Sequence, residues 1–255
     1  HPAEVSAARG TPSEAAVNYR VFKSPQTPAP EVHLLSNGRY HVMVTAAGGG
    51  YSRWRDLAVT RWHEDPTRDN WGSFCYIRDI ETGEFWSVAH QPTLKRAASY
   101  EAIYSQGRAE FRRRDGDLET HVEISVSPED DIELRRVSVT NRGRTARTIE
   151  FTSFAEVVLA TPAADAAHPA FSKLFVQTEV WRERQAILCT RRPRSAAEKP
   201  PWMMHLMTVH GAREVATSYE TDRAQFIGRG NTVADPAAMH RPTLSDTEGS
   251  VLDPI

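Results

Sequence analysis

The sequence predicts an all-β protein, a large antiparallel β-sandwich, and three observations support that fold class. First, apolar residues recur with a period of two in short runs, as in strands that bury one face. Second, Asn, Gly and Pro separate these runs, and no run has the length and period of a long helix. Third, a chain of 255 residues with 40% hydrophobic residues can bury the core of one large domain.

The strand pattern begins at residue 31. Before it, the segment 1–30 is rich in Ala, Pro, Ser and Glu and has no sustained period, so we expect a linker or an extended segment that packs on a neighbour. Residues 31–255 are expected to form one β-sandwich domain. A first hairpin is predicted at Asn37-Gly38, because Asn-Gly suits the tight turn between two strands.

Further strands are predicted downstream by the same pattern. The runs LAVTRW, SFCYIRD and EFWS are each bounded by turn residues. Residues 118–126 alternate between apolar and polar side chains, which predicts a strand with one buried and one solvated face. In the run that follows, the apolar residues change parity between Leu134 and Val137, which predicts a bulge near Arg135.

The last third of the chain has a different sequence pattern. Residues 161–173, TPAADAAHPAFSK, interrupt the strand pattern and predict a long loop or a short helix. Strands are predicted again in LFVQTEVW, QAILCTRR and WMMHLMTVH. Beyond Phe226, recurring Gly and Pro residues predict loops.

Composition excludes several classes of function. The formal net charge of -2 gives no basic field, so we expect no nucleic acid partner. No apolar run approaches the length of a membrane span. Cys75 and Cys189 lie in separate strand-like runs, so we expect buried free thiols and a reducing compartment. Because no Cys/His cluster has metal-ligand spacing, we expect neither a metal nor a cofactor.

One stretch, residues 48–87, has residue types that suit a carbohydrate site. It contains four of the six tryptophans, interleaved with arginines and aspartates. Flat aromatic faces beside guanidinium and carboxylate groups match the C–H faces and the hydroxyls of a sugar. A structural cluster of salt bridges and packed rings is the alternative. The candidates for sugar contact in the middle of this stretch are Arg61, Trp62 and Trp71.

No catalytic residue is predicted. Glu64, Asp65 and Asp69 offer the two carboxylates that glycosidic chemistry needs. We expect them instead to be ionised partners of nearby arginines, with depressed pKa values that make poor general acids. The glycines at 48–50 lack the Lys-Ser/Thr ending of a phosphate loop and predict a tight turn, and the G-x-G at 228–230 is a weaker signal still.

Four segments stand in a characteristic order along the chain: HLLSNGRYHVMVT, GGGYSRWRDLAVTRWHEDPTRDNWGSFCYIRD, GEFWS and HPAFSKLFVQTE. In this order they resemble the amino-terminal sandwich of the cellobiose-phosphorylase-type glycoside family, in particular the phosphorylase-like region of cyclic β-1,2-glucan synthases. The resemblance runs from about residue 31 to residue 255 and implies a galactose-mutarotase-like supersandwich. It also implies a following (α/α)6 barrel that carries the catalytic aspartic acid and the phosphate site. We therefore expect this chain to be inactive alone and to lack the last strands of the sandwich.

In that family, two loops of the sandwich approach the acceptor side of the active site, often across a dimer interface. The matching residues here are Tyr51, Arg53 and Trp54 in the first loop, and His168 and Phe171 in the second. The resemblance assigns no sure role to the three candidates at positions 61, 62 and 71, which contact sugar or hold the loop against the barrel. The implied partners are a β-glucan oligosaccharide, the barrel and a second copy of the chain.

Three functions follow as hypotheses. The leading one is a non-catalytic accessory domain that shapes the acceptor side and the subunit contacts of a cyclic β-1,2-glucan synthase-like enzyme. The second is an independent glucan-binding module. The third is a mutarotase-like enzyme, which needs a His and a Glu that converge in the cleft of the sandwich, since the fold alone does not define an activity. The resemblance also implies an inner-membrane parent protein with this region on the cytoplasmic face.

Overall fold

The computed structural model describes residues 19–65, 67–193, 195–212, 215–249 and 252–255. Every pairing between the strands of these ranges is antiparallel. The predicted all-β antiparallel fold class is therefore confirmed. Within the expected linker, residues 1–18 lie outside the described residues, and the boundary at residue 31 stays a prediction.

The strands are numbered along the chain. They are β1 (Arg20–Phe22), β2 (Val32–Ser36), β3 (Tyr40–Thr45), β4 (Gly50–Trp54), β5 (Leu57–Thr60), β6 (Phe74–Asp79), β7 (Phe85–Ser87), β8 (Ser99–Ser105), β9 (Arg108–Asp115), β10 (Leu118–Val126), β11 (Glu133–Asn141), β12 (Ile149–Phe154), β13 (Val157–Ala160), β14 (Val176–Trp181), β15 (Ala186–Arg191) and β16 (Met203–Leu206). The helices are α1 (Pro162–Ala167), α2 (Pro169–Lys173) and α3 (Arg223–Phe226).

The strands form four sheets. The first has the order β1-β8-β9-β10-β11 and the second has the order β13-β5-β4-β3-β2. Two smaller sheets have the orders β12-β6-β7 and β14-β15-β16. The central core lies between the first sheet, which contributes Phe111 and Val122, and the second and third sheets, which contribute Val42 and Ile77.

Strand β6 serves two cores because its side chains alternate between its faces. Ile77 points into the central core. Phe74 and Tyr76 point the other way, into a second core that Phe226 and Met239 complete from the carboxyl-terminal segment. The loops predicted after Phe226 therefore form a packed layer over the third sheet.

The predicted hairpin at Asn37-Gly38 is confirmed between β2 and β3. The side-chain carbonyl of Asn37 accepts hydrogen bonds from the backbone N–H groups of Arg39 and Tyr40, at 3.0 and 2.8 Å. Such local bonds let the turn sequence fix the register of the strands. The three strands predicted between residues 174 and 210 form β14, β15 and β16, and the interruption before them contains α1 and α2.

The bulge predicted near Arg135 is wrong, because β10 and β11 pair in one continuous register. The change of parity comes from polar side chains on the inward face of β11. Arg135 Nη1 donates to the carbonyl oxygen of Ser73 at 2.8 Å, and Glu133 accepts from Ser52 Oγ at 2.5 Å. Leu134 points outward and is 61% exposed. The inward polar side chains of Glu133 and Arg135 and the exposed Leu134 therefore give the same sequence pattern as a bulge.

Cys75 and Cys189 are free thiols, as predicted. Cys75 packs against the central core, whereas Cys189 belongs to a third core beside β13. Burial raises the pKa of each thiol to about 12, so both stay protonated at neutral pH. None of the described helices is long and apolar enough to cross a membrane.

Gly50 gives a test of the packing at the start of β4. Its φ is +145°, and a Cβ on it would lie 1.9 Å from the carbonyl oxygen of Met43. We expect Gly50→Ala to lower the free energy of unfolding by at least about 2 kcal/mol, since backbone must move to relieve the clash. Urea denaturation measures this loss.

Gly83→Ala is the matched control. Gly83 also has a positive φ, +72°, but a Cβ there meets nothing within 4 Å. Its cost should be the backbone strain alone, about 1 kcal/mol. Equal losses in the two variants would contradict a steric role for the close approach at Gly50.

Candidate functional site

The alternation of side chains along β4 divides the candidates of the first loop into two groups. Ser52 pairs across to Val42, which lies in the central core, so Ser52 and Trp54 face the first sheet. Tyr51 and Arg53 point to the opposite face. The structure therefore does not bring Trp54 together with its two predicted neighbours.

The opposite face of β4 carries a small cluster that we name the β4 surface: Tyr51, Arg53 and Trp62. The guanidinium of Arg53 lies 4.4 Å from the ring centroid of Tyr51. The rings of Tyr51 and Trp62 meet edge to face, with centroids 5.6 Å apart. All three side chains are half-buried. The arrangement offers aromatic faces beside a charged hydrogen-bond donor, which suits a polyhydroxylated ligand.

Trp54 instead closes one end of the sandwich. Its indole Nε1 donates to Asp131 Oδ2 at 2.6 Å, and the guanidinium of Arg55 lies 4.6 Å from its ring. Arg39 Nε donates to the other oxygen of Asp131 at 3.0 Å. These contacts tie β4 to the turn between β10 and β11, while the side chain stays half-exposed, so its contact with sugar stays a prediction.

Arg61 is buried and makes two ion pairs. Its Nε and Nη2 donate to the two carboxylate oxygens of Asp165 at 2.9 and 2.7 Å, and its Nη1 donates to Glu156 Oε2 at 2.9 Å. Its side chain is only 2% exposed. This bidentate geometry anchors α1 at the end of β5. Arg61 therefore holds the second loop in place.

Glu156 is the centre of a wider network. Besides Arg61, it pairs with Arg223 Nε at 3.1 Å and with Lys173 Nζ at 3.7 Å. Burial alone would raise the pKa of Glu156. The positive charges of Lys173, Arg223 and Arg61 outweigh burial, so its pKa lies below the usual value and the carboxylate stays ionised. Asp253 also pairs with Lys173, at 3.2 Å, which joins the last described residues to α2.

His168 and Phe171 lie on the loop that Arg61 anchors. His168 is exposed between α1 and α2. Phe171 is 57% exposed and packs edge to face on Phe175, with centroids 5.1 Å apart. Among the described residues, no hydrogen bond or ring contact joins either side chain to Tyr51. The second loop is thus linked to the β4 surface through the Arg61 anchor. Its exposed side chains take no part in that link.

A cavity of about 550 Å3 lies behind the two loops. Two sequence candidates, Arg61 and Trp71, line it, while Tyr51 and Trp62 do not. Trp71 also meets His63 edge to face, with centroids 5.0 Å apart. The other wall comes from residues 223–233, of which those beyond Phe226 are predicted from the sequence to form a loop. The sequence feature that indicated this segment is the weak G-x-G at 228–230.

Asp69 differs from its expectation. Its carboxylate meets no arginine in a described ion pair; Thr45 Oγ1 donates to it, and it packs on the backbone of Gly49. Burial raises its pKa to about 6, although the bonds from Thr45 and Gly49 act in the opposite sense. Asp65 follows the expectation in direction, since hydrogen bonds from Thr67 lower its pKa.

A His and a Glu do meet, but outside the cleft. His121 Nε2 lies 2.8 Å from Glu110 Oε2 on the outer face of the first sheet. The guanidinium groups of Arg108 and Arg112 pair with the same carboxylate. Among the described residues, no group of three or more His, Cys, Asp or Glu side chains is placed to hold a metal ion.

Comparison with known proteins gives consistent matches. The model of the glycosyl hydrolase 94 supersandwich domain matches residues 16–255. Cyclic β-(1,2)-glucan synthase NdvB of Rhizobium meliloti (strain 1021) is 44% identical over 237 residues, which cover 92% of this chain and 8% of that protein. Solabiose phosphorylase of Paenibacillus borealis is 26% identical over 243 residues, which cover 92% of this chain and 30% of that enzyme. The chain thus spans a small part of the relatives it matches.

The Arg61 network gives a stability prediction. We expect Arg61→Met to lower the free energy of unfolding by about 3 to 5 kcal/mol, because it leaves Asp165 buried without its cation. Arg142→Met is the control, since Arg142 pairs with Glu119 on the surface and should contribute less than about 1 kcal/mol. Urea denaturation measures both. Similar small losses in the two variants would show that the buried pair is not an anchor.

Asp69 gives a pH prediction. Its folded-state pKa of about 6 lies above the ordinary value of 3.8, so the folded state favours the protonated carboxyl. Its contribution to stability is therefore present below pH 4 and lost as the pH rises through about 6. Relative to wild type, Asp69→Asn should gain about 1 to 2 kcal/mol of unfolding free energy between pH 4 and pH 7, a figure reduced for solvent screening.

Asp65→Asn is the control for this titration. The pKa of Asp65 is lowered, so its contribution has the opposite sign and falls as the pH decreases. Urea denaturation from pH 4 to pH 7 measures all three proteins. A constant difference between Asp69→Asn and wild type across that range would contradict the raised pKa.

Proposed function

This chain belongs to the glycosyl hydrolase 94 supersandwich domain family, and we propose that it is a non-catalytic accessory domain of a cyclic β-1,2-glucan synthase-like enzyme. In this role, it shapes the acceptor side of a glycoside-phosphorylase-type active site and contributes to subunit contacts. The catalytic aspartic acid and the phosphate site belong to an (α/α)6 domain that acts with it. The family resemblance predicted from the sequence, with its supersandwich fold, is confirmed.

The observation that carries the proposal is the β4 surface. Tyr51, Arg53 and Trp62 present two rings and a guanidinium on the face of β4 that points away from the central core. A buried aromatic cluster would serve packing alone, whereas these side chains remain half open to solvent. The exposed His168 and Phe171 stand on the neighbouring loop, so a sugar held by a catalytic domain can meet both loops.

The Arg61 anchor supports the same proposal. It fixes α1 against the end of β5 through Asp165, and Trp62 of the β4 surface follows it directly in the chain. Side chains that position a ligand need a rigid support, because small displacements weaken a binding site. One buried side chain thus supports both loops.

For the location of the parent protein, we propose an inner-membrane synthase with this domain on the cytoplasmic face. The support is the similarity to NdvB and the two free thiols, which suit a reducing compartment.

A second candidate function is an independent glucan-binding module. The half-open ring pair of Tyr51 and Trp62 favours it, since stacked aromatic faces bind sugars without help from a catalytic domain. That function predicts saturable binding of glucan by the chain alone, with loss of binding in Tyr51→Ala. The mutarotase-like function has no such support, because its His and Glu meet on the outer face of the first sheet.

The test is a chimaera in which this chain replaces the matching region of NdvB, to which it is 44% identical over 237 residues. We expect the chimaera to synthesise glucan. Tyr51→Ala and Arg53→Ala in the chimaera should each lower the rate of synthesis by about tenfold, the effect of one lost charged or aromatic contact to a bound sugar. Initial rates of glucan formation are the measurement.

Arg144→Ala is the control in the chimaera, because Arg144 is exposed and lies far along the chain from β4. Its rate should equal that of the unmodified chimaera. Unchanged rates in Tyr51→Ala and Arg53→Ala, with normal folding, would refute a role of the β4 surface in sugar contact.

A further inference from the structure

The cavity behind the two loops is separate from the β4 surface and has no role in the function proposed above. Its volume, about 550 Å3, lies within the range of about 300 to 1,000 Å3 that small-molecule pockets span. Its walls come from residues 70–74, from the junction of β12 and β13, and from residues 223–233, with Asp253 at its edge.

The floor of the cavity is aromatic. Phe74 and Phe154 lie against each other with ring centroids 6.2 Å apart, and both line the cavity with Trp71. Ile227 and Val233 add aliphatic surface. Such a floor fits a ligand with apolar faces, because C–H groups pack on aromatic rings without loss of hydrogen bonds.

The rim of the cavity is polar and mixed in character. Asn70 and Asn231 supply amide groups, which both donate and accept hydrogen bonds. Arg229 is exposed, and its side chain has no hydrogen bond or ion pair within the part of the chain that the structure describes. It is therefore a guanidinium that a ligand can engage without first breaking a native contact.

The cavity is lined by charges of both signs, with Arg61, Arg223 and Arg229 against Glu156 and Asp253. Arg61 and Arg223 are already paired with carboxylates, which leaves Arg229 as the cation that a ligand can engage. Hydroxyl groups can donate to carboxylates and accept from Arg229, so an uncharged polyol satisfies both kinds of partner.

The wall that carries Arg229 is held in place before any ligand arrives. Asp222 accepts from Ala224 N at 2.8 Å and caps α3, and Arg223 N donates to the carbonyl oxygen of Asp253 at 2.9 Å. Gly228, with φ +85°, packs so closely that a Cβ would lie 2.8 Å from the Ala237 side chain. A preformed wall lowers the entropic cost of binding.

We propose that this cavity is a second saccharide site, which binds an uncharged unit of one or two hexoses between the aromatic floor and Arg229. The location of the site rests on the cavity alone. The choice of a glucosyl ligand rests on the proposed function, because a domain of a glucan synthase encounters glucans. A chain that holds sugar at two separate places can retain a glucan while its end is processed elsewhere.

The experiment is isothermal titration of the 255-residue chain with β-1,2-linked glucobiose, with cellobiose and inorganic phosphate as alternative probes. Tryptophan fluorescence reports on Trp71 at the same time. Two variants address the cavity: Ala224→Trp fills it from an exposed helical position, and Arg229→Ala removes the free guanidinium. Arg144→Ala, which removes an exposed arginine elsewhere, is the control, and Tyr51→Ala tests whether the β4 surface holds the sugar instead.

We expect saturable binding of the disaccharide by wild type, weakened about tenfold or more in Ala224→Trp and in Arg229→Ala. Arg144→Ala should bind within about twofold of wild type, which is less than about 0.5 kcal/mol. Circular dichroism and thermal unfolding establish that each variant is folded. Arg229→Ala, at an exposed loop position, keeps the test valid where the larger tryptophan disturbs the fold.

Three outcomes would overturn the inference. The first is no saturable binding by the folded wild-type chain. The second is binding that Tyr51→Ala abolishes and the cavity variants leave intact, which assigns the sugar to the β4 surface. The third is binding of phosphate but of neither disaccharide. The chimaera experiment tests the accessory role independently, so failure of the cavity site is distinguishable from failure of the proposed function.

Discussion

The buried guanidinium of Arg61 is the interaction on which the functional half of the structure depends. It bridges Asp165 of α1 and Glu156 at the junction of β12 and β13. A charge this deeply buried is tolerated only when it is paired, and the Nε, Nη1 and Nη2 atoms of Arg61 all donate to carboxylate oxygens. Through Glu156, the same network reaches Lys173 and Arg223, and so it links the second loop to the carboxyl-terminal layer.

This network supports two different surfaces, one on each side of Arg61. On one side, Trp62 follows Arg61 and completes the β4 surface with Tyr51. On the other side, Arg61 lines the cavity whose far wall carries Arg229. An ion network is a suitable support because its directional bonds hold each segment in one geometry, whereas apolar contacts allow neighbouring residues to slide. Both proposed sugar sites therefore depend on the same buried ion pairs.

Much of the fold was predictable from local sequence. The hairpin at Asn37-Gly38, the strands of the fourth sheet and the short helices in residues 161–173 follow from turn residues and from the period of the apolar positions. The bulge near Arg135 failed because its inward polar side chain finds the carbonyl of Ser73, a partner 62 residues away. Periodicity detects apolar faces, and it has no means to detect a polar residue that a distant segment satisfies.

The sequence by itself determined the fold class and the concentration of aromatic and charged residues in one stretch, because both are properties of local pattern and composition. The family followed from the resemblance of its segments to known sequences. Only the tertiary structure decided what those residues do. It assigned Trp54 to closing the sandwich, Arg61 to an internal anchor and Tyr51 to an open face, and it raised the pKa of Asp69 by burial. The physical reason is that a side chain's role depends on partners brought together by folding, and residues 223–233, distant in sequence, supply much of the cavity.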